Sequence, residues 1–118
     1  MRPADGVPAL TACRLCAGES LGEPGDVPGG QLDRLRAIES RGAARLALVE
    51  CLDECDRGDV VVVRPSPAGR RADGRPVWFE RLAGDGPTAE LAGWLDRGGP
   101  GHAPVPTVLT DRVIRRRD

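Results

Sequence analysis

Four cysteines stand in two close pairs, Cys13-x2-Cys16 and Cys51-x3-Cys55, with residues 17–50 between them. In a chain that shows no export signal, short-spaced pairs favour metal binding or reactive thiols over structural disulfides. One loop can present two sulfurs at such a spacing, and two loops brought together supply four thiolates. That set suits an iron–sulfur cluster or a closed, redox-silent zinc site, and ligand softness does not separate them. Cys-x2-Cys is common in zinc sites and Cys-x3-Cys less so. Thiol–disulfide exchange is a third chemistry, and it relies on a helix N-terminus to lower the thiol pKa. Here the Gly/Pro-rich stretch from Ala17 to Gly30 separates Cys16 from the next helix, and Arg57-Gly58-Asp59 rather than a proline precedes the valine run. The fourth reading treats the cysteines as ordinary small hydrophobes.

The remaining chemistry-bearing residues are sparse. Glu50, Asp53, Glu54, Asp56 and Asp59 crowd the second pair. Beside an anionic cluster they would resist reduction, and they could form an acidic docking face for a basic redox partner. Taken singly each is an ordinary solvated loop acid, and Asp59 reads as a strand starter. Arg70, Arg71 and Arg75, with Arg115, Arg116 and Arg117, are the local basic concentrations. They lack interleaved aromatics, so nucleic-acid contact is not expected. His102 sits in a Gly/Pro-rich stretch and is expected to be neither ligand nor base. With one histidine there is no Ser/His/Asp arrangement, and no P-loop or dinucleotide fingerprint occurs. Gly98-Gly99-Pro100-Gly101 ends a helix instead of opening one. No enzymatic activity is expected.

Composition sets the frame. The chain has 118 residues, a net charge of −1 and 40% hydrophobic residues, which fits one domain, and a large multi-domain enzyme is not expected. All 17 basic residues are arginine, and there are 16 glycines and 11 prolines, a bias of the kind high-GC codon usage produces. Arginine richness is therefore a poor argument for phosphate binding. Trp78, Phe79 and Trp94 are the only large rings, and small cores of this kind often lean on a metal or cross-link. No apolar run approaches membrane-spanning length, and no apolar stretch follows the first residues, so a cytoplasmic location is expected.

The elements that must position the thiols follow from periodicity and breakers. Residues 1–9 read as a flexible lead-in, and Pro8 to Thr11 as a short first strand. Gln31 to Arg45 reads as a helix with Leu32, Leu35 and Ile38 on one face. Leu46 to Glu50 reads as a buried strand and Val60 to Arg64 as the clearest one. Pro65 to Pro76 reads as a polar loop, and Val77 to Leu82 as the hairpin partner of the valine strand. The last helix opens near Asp85-Gly86-Pro87-Thr88, carries Leu91, Trp94 and Leu95 inward, and stops at Gly98-Gly99-Pro100. Trp78 and Trp94 are expected to fill the core between sheet and helix. Residues 102–118 read as a surface tail. The order is β-α-β-β-β-α, the minimal arrangement of a thioredoxin-like α/β sandwich with a mixed four-stranded sheet. Neighbouring parallel strands end on one side, so the two cysteine pairs could meet there.

The segment from Val49 through Cys51-Leu52-Asp53-Glu54-Cys55 to Val60-Val61-Val62-Val63-Arg64-Pro65 resembles the second half of thioredoxin-like [2Fe-2S] ferredoxins. There a strand runs into a Cys-x3-Cys loop, then into a valine-rich strand and a hairpin. Gly74-Arg75-Pro76-Val77-Trp78 and the last helix with its stop fit the same pattern, so that the resemblance covers residues 10–101. It implies a [2Fe-2S] cluster held by Cys13, Cys16, Cys51 and Cys55, a one-electron transfer role, a redox partner protein and a homodimer. The first pair departs from the pattern. In that family a longer stretch separates the first two ligand cysteines, whereas here only Arg14 and Leu15 do. The alternative is a zinc-stabilised or metal-free interaction module without redox activity.

Overall fold

The structure is a computed structural model that describes residues 6–13, 18, 22, 29–50 and 58–114. Strand β1 (Ala9–Cys13) leads to helix α1 (Gln31–Ser40), then to β2 (Arg45–Val49) and β3 (Val61–Arg64). A short helix α2 (Pro67–Arg71), β4 (Val77–Phe79), α3 (Asp85–Asp96), a 3-10 helix (Thr107–Arg112) and β5 (Val113–Ile114) complete the order. Among the described residues the sheet is mixed and five-stranded, in the order β2-β1-β3-β4-β5, where the sequence led us to expect four strands. β1 and β2 run parallel, as a crossover through α1 requires, and every other pair is antiparallel.

Alternation along the strands sorts the core. Leu10, Ala12, Val61, Val63 and Phe79 share the face that packs against Leu35 and Ile38 of α1 and Leu91, Trp94 and Leu95 of α3. Trp94 meets Phe79 edge-to-face at 5.9 Å between ring centres, and its indole N–H donates to the Ala103 carbonyl at 2.9 Å. Trp78 does not join it. The residue pairs with Val62, next to core-facing Phe79, and so belongs to the opposite face, where it is half-buried. That face also carries Thr11, Cys13 and Val62, all buried.

Several boundaries differ from the sequence reading, each for a local reason. Helix α1 stops five residues before Arg45 because Gly42 takes a left-handed φ of +82°, and Ala43 N–H then returns to the Ile38 carbonyl at 3.3 Å. Arg45 is thereby released to begin β2, whose side chains are half-buried or exposed because it is an edge strand. At this edge the Leu46 N–H is taken by the Glu39 carboxylate at 3.0 Å. The expected polar loop contains α2, which Ser66 caps by accepting from Gly69 N–H at 3.0 Å, with Pro67 in the first turn. Gly69 and Gly101 are packed backbone against backbone, so a Cβ on either would collide with the other segment. The segment after Gly101 is no mere surface tail: Leu109 is buried, and Val113 and Ile114 pair with Phe79 and Trp78. Among the described residues, no helix is long and apolar enough to cross a membrane.

Candidate functional site

Cys13 is the last residue of β1, and the strand fixes it from both sides. It pairs with Val49 in the parallel ladder, and its N–H reaches the Val60 carbonyl at 3.4 Å. Its thiol is buried, at 2% exposure, and donates to the Glu50 carbonyl at 3.3 Å. Glu50 immediately precedes Cys51.

The strand order gives this placement its meaning. β2 lies on one side of β1 and β3 on the other. The described chain leaves β2 at Glu50, beside Cys13, and is next seen at Gly58, from where it enters β3 on Cys13's far flank. Cys51 and Cys55 lie between those two points in sequence. Cys16, Cys51 and Cys55 themselves fall outside the described residues, as do Asp53, Glu54 and Asp56. Of the expected ligands, Cys13 alone is therefore located. Among the described residues no group of three or more His, Cys, Asp or Glu side chains could hold a metal.

The acid next to the valine strand takes a role that sequence reading missed. Asp59 is buried, at 3% exposure, and its carboxylate accepts from the Gly18 N–H at 2.7 Å. Its backbone is left-handed at φ +46°, directly after Gly58 at φ +76°. Aspartate tolerates that region better than most side chains do. Across the turn, Gly58 and Asp59 carbonyls accept from Arg81 N–H at 2.7 Å and Leu82 N–H at 3.1 Å. A signal was present, since Gly-Asp before a strand marks a special turn. Nothing in the sequence pointed to Gly18 as its partner.

A second buried polar group closes the other end of the same long segment. Gln31, 1% exposed at the start of α1, donates from Nε2 to the Leu82 carbonyl at 3.1 Å and to the Thr88 hydroxyl at 3.2 Å. Its Oε1 accepts from Gly84 N–H at 3.0 Å and from Arg34 at 3.3 Å. This network satisfies both halves of a buried amide and anchors α1 to the entry of α3.

Arg70, Arg71 and Arg75 are exposed at and after α2, and Arg115, Arg116 and Arg117 lie outside the described residues. His102 is exposed, and its side chain lies close against Gly98, where an added Cβ would come within 2.9 Å of the ring. The geometry thus assembles strand ends, one buried thiol and one buried carboxylate at the side of the sheet where both cysteine segments depart. No protein-family model, curated protein or solved structure matches this chain.

Proposed function

We propose that the protein is a thioredoxin-like, [2Fe-2S] ferredoxin-like one-electron carrier in which Cys13, Cys16, Cys51 and Cys55 hold the cluster. One observation carries the reading: Cys13 stands at the end of β1, flanked by the exit from β2 just before Cys51 and the entry to β3 just after Cys55. A bound [2Fe-2S] cluster would supply reversible one-electron transfer. The chain's own contribution begins with rigidity, because Cys13 is held by ladder partners on both sides. Its thiol proton, now shared with the Glu50 carbonyl, is lost when the sulfur serves as a thiolate ligand, so loading releases protons. The burial of Cys13 keeps water from its sulfur. The acids around the second pair favour a low potential and offer a docking face to a basic redox partner in the cytoplasm. Pairing into a homodimer belongs to the same proposal, and neither an enzymatic activity nor a nucleic-acid or membrane partner does.

The test is anaerobic purification, a visible spectrum before and after dithionite, and assays for iron, sulfide and zinc. The expected result is coloured protein with about two irons and two sulfides per chain that bleaches on reduction. Cys51→Ser is expected to abolish or strongly shift that spectrum; an unchanged spectrum removes Cys51 from the ligand set. Colourless protein with one zinc, or with no metal after anaerobic reconstitution, replaces the carrier with a zinc-stabilised or metal-free module.

A further inference from the structure

We infer that Arg45 and Arg64 form a binding site for a single doubly charged phosphate group, free or esterified, above Ala9 on the sheet face opposite α1 and α3. The inference is independent of the metal reading. Leu10 packs toward the two helices, so Ala9, one residue earlier, belongs to the other face. Ala9 is in register with Arg45 of β2 on one side and with Arg64 of β3 on the other. Residues in register share a face, and adjacent strands lie about 4.8 Å apart. The two arginine Cα atoms are therefore roughly 10 Å apart, with one methyl group between them.

The surroundings leave room for an anion. Both arginines are exposed. Arg64 donates from Nη1 to the Thr11 hydroxyl at 3.1 Å, which carries its guanidinium back over β1. Ala47, in register with Thr11, is exposed and small, so the floor on β1 and β2 stays low. The frame is tied down, because Arg45 N–H reaches the Pro8 carbonyl at 2.9 Å and buried Pro65 follows Arg64. Arg34, Arg36, Arg41 and Arg81 each face a carboxylate, whereas among the described residues Arg45 and Arg64 face none. Neighbouring strands ordinarily set opposite charges against each other, and like charges there cost stability. A dianion over Ala9 offsets both charges, and each planar fork can offer it two parallel N–H donors. Phosphate suits two forks better than a carboxylate, having more oxygens and a second charge. Arginine content did not point here, since every basic residue of the chain is arginine; strand register singles out these two.

The test is a titration of the reduced full chain with inorganic phosphate at fixed ionic strength, following the Ala9 and Ala47 methyl signals by NMR. Both are expected to shift saturably, with a dissociation constant in the millimolar range that rises with added salt. Methyl phosphate is titrated in parallel. Tighter binding than inorganic phosphate assigns an ester, and equal or weaker binding the free ion. Arg45→Gln and Arg64→Gln keep a long polar side chain at exposed positions, and circular dichroism checks that each folds. Each is expected to weaken binding about tenfold. Arg71→Gln removes the same charge from α2 and is expected to stay within about twofold of the parent. No saturable shift in the parent overturns the site. So does undiminished affinity in either Arg45→Gln or Arg64→Gln. A loss in Arg71→Gln as large as in those two also overturns it, because general charge attraction then accounts for the binding.

Discussion

Gln31 and Asp59 are both nearly inaccessible, and both bind backbone far away in sequence, but they hold the two ends of one segment in different ways. Gln31 fixes the end that becomes α1, donating to Leu82 and Thr88 and accepting from Gly84 and Arg34. Asp59 fixes the end near Cys16 by accepting from Gly18. They even share a neighbour, since Leu82 N–H goes to the Asp59 carbonyl and the Leu82 carbonyl receives Gln31. A neutral amide that gives and takes can be satisfied by core backbone whether or not anything is bound nearby. A carboxylate only accepts, and its burial depends on how its donors are held. Gln31 therefore ties α1 to the start of α3, and Asp59 ties the Gly18 backbone to the turn that precedes β3.

The sharpest attack on this comparison is Gln31→Leu. It leaves the Gly84 amide and the Leu82 carbonyl without their side-chain partner and should cost about 3 kcal/mol. For a domain of this size that lowers the melting temperature by roughly 15 °C, read by calorimetry or circular dichroism. Metal uptake per folded chain should not change. A loss below about 1 kcal/mol would show that α1 is held by its apolar face alone. Thr88→Val is the intermediate probe, because the buried hydroxyl accepts one of two Gln31 bonds while Leu82 keeps the other. Chemical denaturation should show a loss of about 1 kcal/mol. The smallest effect is expected for Asp85→Ala. Its ion pair with Arg34 is 2.8 Å long, but Asp85 is 94% exposed, so the loss should stay at or below about 0.5 kcal/mol. A larger loss would mean that Asp85 orients Arg34 toward Gln31 and extends the core network outward.

Much of the architecture could be read before folding. The run Val60–Val63, the Leu32/Leu35/Ile38 stripe and the Gly98-Gly99 stop become β3, the buried face of α1 and the end of α3. Each rests on a pattern several residues long, which is where periodicity is informative. Failures fall on shorter signals. Val113–Ile114 is too short to show a period and becomes a strand through pairing with β4. Ser66-Pro67 carried a capping signal that the flanking prolines masked. Trp78 and Phe79 are adjacent and both aromatic, so residue type could not tell which faced the helices.

The site divides along the same line. Spacing alone set the cysteines in two close pairs of a kind that favours metal binding or reactive thiols, and the expected strands put each pair at a strand end. Such properties are local, carried by residue types within a few positions of one another. The flanking of β1 by β2 and β3, the burial of Cys13 beside Glu50 and the reach of Asp59 to Gly18 are all long-range contacts, the last two joining positions 37 and 41 residues apart. No local pattern encodes such a contact. It exists only once the sheet has ordered its strands, because the order of the strands decides which loop ends lie side by side.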